Sequence, residues 1–187
     1  EGHLNAQLAR LSLLDRTTRA IGERQDLHSL FRVVLRSLED HLPIDFGCAC
    51  LYSQGDDSLT VECVGPASHE LAQEMSLGEL VRVPIDENGL SRCVHGELVH
   101  EPDIAESRFA FPARLARAGL HSLVIAPLMV ESKVFGVIIA ARRASSAFTS
   151  GDCEFLRQLT QHVALAAHQA QLHDSLQVAY DDLRQSQ

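Results

Sequence analysis

The chain has 187 residues, 45% of them hydrophobic, which predicts one domain of ordinary size with an extension. Lys and Arg total 16 against 25 Asp and Glu, for a net charge of −9, and the cations are scattered instead of forming a stripe that could follow phosphates. This balance argues against nucleic acid and anionic membrane surfaces as partners.

The cysteines and the apolar runs indicate in which cellular compartment the protein works. Five cysteines without CxxC pairs are typical of free thiols in a reducing environment. The longest apolar runs, such as 134–141, are far shorter than the roughly 20 residues of a membrane helix. The first residues also lack the zones of a secretory signal. We therefore expect a cytoplasmic protein.

Two helices are predicted at the start of the chain. Apolar residues recur at helical spacing over 5–22, with Leu8 and Leu11 among them. Asp26 offers an N-cap for a second helix that ends before Pro43. The buried face of this second helix is predicted to consist of Leu27, Leu30, Phe31, Val34, Leu35 and Leu38.

A hairpin follows the helices. Residues 44–52 and 58–65 have strand character and are separated by the turn sequence QGDD. If the second and third residues of that sequence form a two-residue turn, Cys48 lies opposite Cys63. A third strand is predicted at 80–85, after a short acidic helix near 69–76.

The middle of the chain predicts short helices, and two long strands come after it. One helix is expected within ENGLSRCVHG and another between Pro112 and Gly119. The strands HSLVIAPLMV and VFGVIIAARR are apolar at successive positions, so both faces of their sheet must be covered. We expect the long helices to cover one face and the irregular middle to cover the other.

The last segment predicts a long helix with an open apolar stripe. Thr149 or Ser150 caps a helix from about Gly151 onward, roughly 50 Å long at the standard rise per residue. An uncovered stripe favours pairing with a second copy, or a chain that continues further. Its residues follow one another at spacings of four, three and four: Leu172, Leu176, Ala179 and Leu183.

Two stretches resemble the GAF family over about 25–170. They are GLSRCVHGELVHEPDI and LARAGLHSLVIAPLMVESKVFGVIIAARR, followed by Phe148 and Asp152. The resemblance implies an α+β fold with a central antiparallel sheet of about six strands. The N- and C-terminal helices would pack on one face, short helices and loops on the other, and a long C-terminal coiled-coil helix would leave the domain. The implied segments are a dimerisation helix at 1–24, the GAF sensor domain at 25–170 and a signalling helix at 171–187.

The sequence AYDDLRQSQ resembles linkers that join sensor domains to the dimerisation helices of bacterial histidine kinases. This resemblance implies a sensory domain of a two-component protein, with a kinase domain downstream in the same chain. It also implies a homodimer through the first and last helices. The predicted interface consists of Leu8, Leu11, Leu165, Leu172, Leu176, Ala179 and Leu183.

The GAF resemblance also bears on cofactors. Bilin-binding relatives carry a Cys-His pair at the positions matched here by Ala110 and Phe111, so no covalent bilin is expected. Cyclic-nucleotide-binding relatives carry an Asn-Lys pair where this chain has Ala141 and Arg142, so a cyclic nucleotide is disfavoured. The identity of any cofactor stays open.

The resemblance places a pocket for a small organic effector between the sheet and the inserted segments. His121, which enters the fifth strand, could reach into it. An alternative of equal weight is that the same residues pack together and leave a ligand-free dimerisation spacer. The predicted lining is Phe46, Cys48 and Cys50 on one side and Phe109, Phe111 and Leu115 on the other.

A thiol-based redox sensor or reductase is a second alternative. Cys48, Cys50 and Cys63 could meet on neighbouring strands, although 101–121, where GAF reductases carry their essential thiol, contains no cysteine. No Ser-His-Asp arrangement and no Gly-rich phosphate loop is legible, so we expect no catalysis by this segment. The ten histidines show no ligand spacing that also points into a pocket. His28 and most other helical histidines are expected at the surface, and no metal site is predicted.

Overall fold

Six antiparallel strands form one sheet in the order β3-β2-β1-β6-β5-β4. The computed structural model describes residues 27–85 and 90–185. The predicted first helix, with Leu8, Leu11 and the segment 1–24, lies outside the described residues. The strands are β1 (Phe46–Ser53), β2 (Ser58–Val64), β3 (Arg82–Pro84), β4 (Val99–Glu101), β5 (Ser122–Val130) and β6 (Lys133–Arg142). The helices are α1 (Leu27–His41), α2 (His69–Glu74), α3 (Ser91–Val94), α4 (Ala110–Arg117) and α5 (Ser150–Gln185).

The long helices α1 and α5 cover one face of the sheet. All six residues predicted for the inner side of α1 are buried, because that helix places one apolar stripe against β1 and β2. The inner side of α5 adds Phe155, Leu156, Leu159 and Val163 to the same apolar cluster. The predicted arrangement of N- and C-terminal helices on one face is confirmed.

The short helices and loops cover the opposite face. Side chains of β1, β2, β5 and β6 pack there against α2, α3, α4 and the segments between them, in a second apolar cluster. β5 and β6 are buried along most of their length because each side of these strands has its own cover. This is the two-sided burial that their unbroken apolar sequences predicted.

The hairpin register agrees with the prediction near the turn and differs at its far end. Ser53 pairs with Ser58, as the predicted register requires. A β-bulge between Ala49 and Cys50 then shifts the pairing by one residue, so Cys48 lies opposite Val64 and not Cys63. The predicted Cys48–Cys63 pair is therefore wrong. A bulge leaves no mark in the alternation of hydrophobic residues, so that alternation could not predict this shift.

Helix α5 starts at a reciprocal cap. The Asp152 N–H donates to Thr149 Oγ1 at 3.0 Å, and the Thr149 N–H donates to Asp152 Oδ2 at 3.0 Å. From there α5 runs 36 residues, about 54 Å at the standard rise. Among the side chains described in α5, Ala170 is the last buried one, and all those from Leu176 onward are exposed. The helix thus leaves the domain, as the sequence predicted.

Arg142 joins the end of β6 to the start of α5. Its Nη1 lies 3.3 Å from Asp152 Oδ2, and its guanidinium stacks 4.5 Å from the centre of the Phe148 ring. Its Nε donates to the Pro43 carbonyl at 2.8 Å, and its Nη1 also donates to the Ala147 carbonyl. These bonds fix the junction at which the exit helix leaves the sheet.

Candidate ligand-binding site

A cleft of about 420 Å³ opens where β4 and β5 meet α3 and the segment 103–109. Its floor is apolar, because Val99, Leu123 and Ile125 are buried strand residues whose side chains face this side of the sheet. The volume falls within the range of roughly 300–1,000 Å³ that small-molecule sites occupy. The cleft can therefore hold a small organic molecule.

The rim of the cleft is polar and carries both signs of charge. Arg92 Nη2 donates to Glu101 Oε1 at 2.9 Å across one side. Asp103 Oδ1 accepts a hydrogen bond from the Ala105 N–H at 3.0 Å, which shapes the turn on the other side. Arg108 is exposed at the rim, and within 27–85 and 90–185 no hydrogen bond or ion pair occupies its guanidinium. That group is available to an anionic or carbonyl-bearing ligand.

Most of the predicted pocket residues lie in the closed core on the same face of the sheet and are not part of the cleft lining. Phe46, Cys48, Cys50, Phe111 and Leu115 are all buried in the apolar cluster on this face. The structure brings these five together, but as side chains packed on one another. This is the arrangement that the spacer alternative anticipated, and a ligand-binding role for them stays a prediction.

The other two predicted residues lie at the surface. Phe109 is 53% exposed and lines the cleft. His121 Nδ1 lies 2.7 Å from the Arg143 carbonyl, so its ring is held beside the start of β5 by the backbone that directly follows β6. Phe109 is therefore the one residue of the predicted lining that borders the cleft described above.

Sequence reasoning missed most of the residues that border this cleft. The segment 103–109 contains no regular element, so its periodicity carried no signal about which side chains face inward. Two observations in the sequence pointed to it weakly: the charge pattern EPDIAESR, and its position directly before α4. The residues that the prediction lacked are Ser91, Arg92, Val99, Glu101, Asp103, Ile104, Glu106, Ser107, Arg108, Pro112, Leu123 and Ile125.

The three cysteines of the redox alternative do not form one cluster. The Cys48 and Cys50 Sγ atoms lie 4.0 Å apart on the cleft side of the sheet. Cys63 is buried on the opposite face, under α1, because the bulge in the hairpin pairs it with Ala49. The expectation that all three meet is therefore wrong.

The remaining pair is poorly suited to attack a substrate. The hydrogen bond with Cys50, followed by burial, raises the pKa of the Cys48 thiol well above its ordinary value of 9.0. A reactive cysteine needs the opposite, a lowered pKa and access to solvent. The geometry around Cys48 gives the reductase alternative no support.

Helix α4 shows what stands at the positions that bilin-binding relatives use. Ala110 is exposed in its first turn, and Phe111 is buried in the core. The nearest cysteine in sequence, Cys93, lies on α3 and is fully buried, and burial raises the pKa of its thiol. None of these groups presents a thiolate to the cleft.

Comparisons with known proteins agree with this architecture. The family model for the GAF domain matches residues 26–167. The circadian input-output histidine kinase CikA of Thermosynechococcus vestitus is 24% identical over 186 residues, which cover 93% of this chain. This chain spans only 25% of that kinase's length.

Two solved structures illustrate the shared fold. The GAF domain from a phosphoenolpyruvate-protein phosphotransferase of Coxiella burnetii has a TM-score of 0.76 at 15% identity, covering 91% of this chain and 99% of that one. The free methionine-R-sulfoxide reductase of Neisseria meningitidis, in complex with its substrate, has a TM-score of 0.72 at 16% identity, covering 90% and 93%. At such low identity these likenesses show the fold alone. With the family match over three quarters of its length, this chain belongs to the GAF family.

Proposed function

We propose that this chain is a sensory and regulatory GAF module of a two-component signalling protein, which pairs with a second copy through its exit helix. The observation that carries this proposal is the uncovered seam of α5. Beyond the domain, Leu172, Leu176 and Leu183 are 51%, 70% and 66% exposed on one side of that helix. Leu165, at 56%, lies one heptad before Leu172 and extends the seam onto the domain.

The relative supports the signalling context. Its name describes a histidine kinase, and this chain covers a quarter of it, so a kinase domain elsewhere in the full protein is consistent with the match. A parallel pair of exit helices could pass a change in packing from the GAF module to such a domain. The chain itself would bind and transmit, and the chemistry would belong to another domain.

Charge inserted into the seam tests the pairing. In a parallel dimer, Leu176→Glu would place two carboxylates against each other and remove two buried leucines, each worth about 1.5–3 kcal/mol when fully buried. The dissociation constant should rise at least about 100-fold. Val178→Glu is the matched control, because Val178 is 61% exposed on the opposite side of the same helix.

Sedimentation equilibrium of the wild type and both variants gives the readout. The wild type and Val178→Glu should sediment as dimers, and Leu176→Glu as a monomer. A wild type that stays monomeric at high micromolar concentration would contradict the proposal. Equal dissociation constants for the two variants would contradict the seam, even if a dimer exists.

We also propose that the cleft takes a small organic molecule with an acidic or carbonyl group. The apolar floor and the available guanidinium of Arg108 support this class of ligand. Binding signals only if the ligand prefers one arrangement of segment 103–109 to another. Neither a covalent bilin nor a catalytic thiol is part of this proposal.

Native mass spectrometry of the purified protein tests the ligand, followed by thermal shifts with small carboxylic acids. A retained molecule should be lost in Arg108→Ala and kept in Arg36→Ala, an exposed arginine on α1 that lies apart from the cleft. Retention in both variants would place the ligand elsewhere. If no molecule is retained and no acid shifts the melting temperature, the module acts as a spacer, and visible absorbance provides a separate check for a bilin.

A further inference from the structure

Three metal-ligating side chains from three different elements meet on the helix-covered side of the sheet. His28 comes from the first turn of α1, Cys63 from β2, and Glu79 from the loop between α2 and β3. One ligand atom from each lies within 4.8 Å of the other two, and His28 Nε2 is 3.8 Å from Glu79 Oε1. We name these three residues the His-Cys-Glu cluster. It lies apart from the cleft, which is on the other face of the sheet.

The imidazole of His28 is oriented for coordination. Its Nδ1 lies 3.2 Å from the backbone carbonyl of Glu62, a bond in which Nδ1–H donates. That bond places the proton on Nδ1 and keeps the lone pair on Nε2, the ring nitrogen that lies 3.8 Å from Glu79 Oε1. Metal-binding histidines in proteins are characteristically held in this way, with the second ring nitrogen bonded to a carbonyl or a carboxylate.

The surroundings of the cluster are negative. The negative charge of Glu79 acts on the Cys63 sulfur and disfavours further negative charge there. Arg32 acts in the opposite direction, while Glu62 and Glu39 act in the same direction as Glu79. Three carboxylates against one guanidinium favour a cation beside the sulfur.

We propose that the His-Cys-Glu cluster binds a divalent transition-metal ion, for which Zn²⁺ is the best match, with the fourth position open to water. One imidazole, one thiolate and one carboxylate form a mixed ligand set that suits Zn²⁺, whereas Mg²⁺ and Ca²⁺ prefer oxygen alone. On binding, the Cys63 thiol gives its proton to solvent and the sulfur coordinates as a thiolate.

The geometry requires little movement. Tetrahedral Zn²⁺ with bonds of about 2.0–2.3 Å separates its ligand atoms by roughly 3.3–3.7 Å. With all three ligand atoms within 4.8 Å of one another, the present separations exceed that by at most about 1.5 Å. Glu79 is able to move toward the other two ligands, because its side chain is 45% exposed and its backbone belongs to no helix or strand.

The consequence for the domain is mechanical. Within the described residues, His28 lies at the beginning of α1, and Cys63 is in the second strand of the sheet. A shared ion would fasten the start of α1 to β2 and to the loop before β3. Metal occupancy would therefore change how firmly the first described helix is held to the domain.

Zinc titration of the metal-stripped chain tests the proposal, with a chromophoric chelator as competitor. The wild type should bind one equivalent. Loss of a residue that only hydrogen-bonds to a metal ligand lowers metal affinity roughly 10- to 100-fold. His28→Gln and Glu79→Gln remove ligands themselves, so each should weaken zinc binding by more than that. Both replaced side chains are partly exposed, so these variants should fold. Matched controls are His41→Gln and Glu74→Gln, exposed residues outside the cluster, which should leave the affinity within about 2-fold.

Cobalt substitution provides a second readout, specific for the sulfur. Co²⁺ at the cluster should give visible bands of tetrahedral intensity and a thiolate-to-cobalt band in the near ultraviolet. Cys63→Ala should abolish that ultraviolet band, whereas Cys153→Ala should keep it. Any one of three results would overturn the proposal. The wild type would bind zinc no more tightly than the two ligand variants do, the ligand and control variants would have equal affinity for zinc, or the cobalt spectrum of the wild type would lack the thiolate band.

Discussion

The junction between sheet and exit helix makes a quantitative prediction about Arg142. Replacing it with Met keeps much of the aliphatic stem but removes the charge and its hydrogen bonds. The ion pair with Asp152 is largely shielded from water, since the two side chains are 15% and 7% exposed. Breaking a buried pair costs up to about 3–5 kcal/mol when the remaining charge has no other partner.

The structure indicates a value at the low end of that range. Asp152 keeps its bond from the Thr149 N–H, so its carboxylate is not left alone. The loss of the stacking on Phe148 and of the donor to the Pro43 carbonyl adds to the cost. We expect Arg142→Met to lower the free energy of unfolding by about 3 kcal/mol. For a domain of this size that corresponds to a fall of roughly 6–12 °C in melting temperature.

Urea denaturation followed by circular dichroism measures this loss directly. Arg143→Met is the matched control, because Arg143 is the next residue and its side chain is exposed. Its hydrogen bonds to His121 and Asp45 use the backbone carbonyl and N–H, which the substitution keeps. It should change the free energy of unfolding by no more than about 0.5 kcal/mol. A double-mutant cycle with Asp152→Asn isolates the pair. Equal losses from Arg142→Met and the control would refute the reasoning about this junction.

Three further predictions concern packing and thiols. Gly136→Ala should lower the free energy of unfolding by about 1–3 kcal/mol, because a Cβ there would lie 2.5 Å from the Cys50 carbonyl oxygen on the paired strand. Gly55→Ala, where a Cβ would have no atom within 4 Å, should be nearly neutral in the same urea titration. In native protein at about pH 8, iodoacetamide followed by mass spectrometry should modify Cys153 first, since it alone among the described thiols is incompletely buried. Burial raises the pKa of the Cys63 thiol to about 12 in the folded state, whereas in the unfolded state it is near 9.0. The free energy of unfolding should therefore fall as the pH rises above 9. A free energy of unfolding that stays constant over this range and is unchanged in Cys63→Ala would contradict this.

The elements that the sequence predicted well are those whose apolar residues repeat with one period. The six buried positions of α1 follow a single helical stripe, and the length of α5 follows from an uninterrupted run without Gly or Pro after Gly151. The two-sided burial of β5 and β6 followed from their unbroken apolar sequences. In each case the prediction depended on the residues of one element alone, and packing against the rest of the domain did not change that element.

The elements that were missed depend on single residues or on chain segments far apart. One bulged residue in β2 moved Cys63 to the opposite face and separated it from Cys48. The cleft depends on how segment 103–109 packs, which no period describes. The His-Cys-Glu cluster joins residues that are 35 and 16 positions apart in the chain, a spacing that matches no short ligand motif. Its members become neighbours only after the hairpin and α1 have packed.

The exposed end of α5 supplies a test that does not depend on any assay of signalling. From 171 to 185 the helix continues for about four turns, and the side chains described beyond Leu172 contact solvent. An isolated helix of this length is only marginally stable in water, so in a monomer its amides should exchange with solvent almost freely. In a dimer, the seam around Leu176 would bury apolar surface and slow that exchange. Hydrogen exchange measured on wild type, Leu176→Glu and Val178→Glu should therefore show protection over 176–185 in the first and third proteins and its loss in the second. Equal protection in all three proteins would mean that the helix is stable without a partner. Equal absence of protection would mean that no partner is bound. Either result would remove the physical reason for assigning this helix to a signalling dimer.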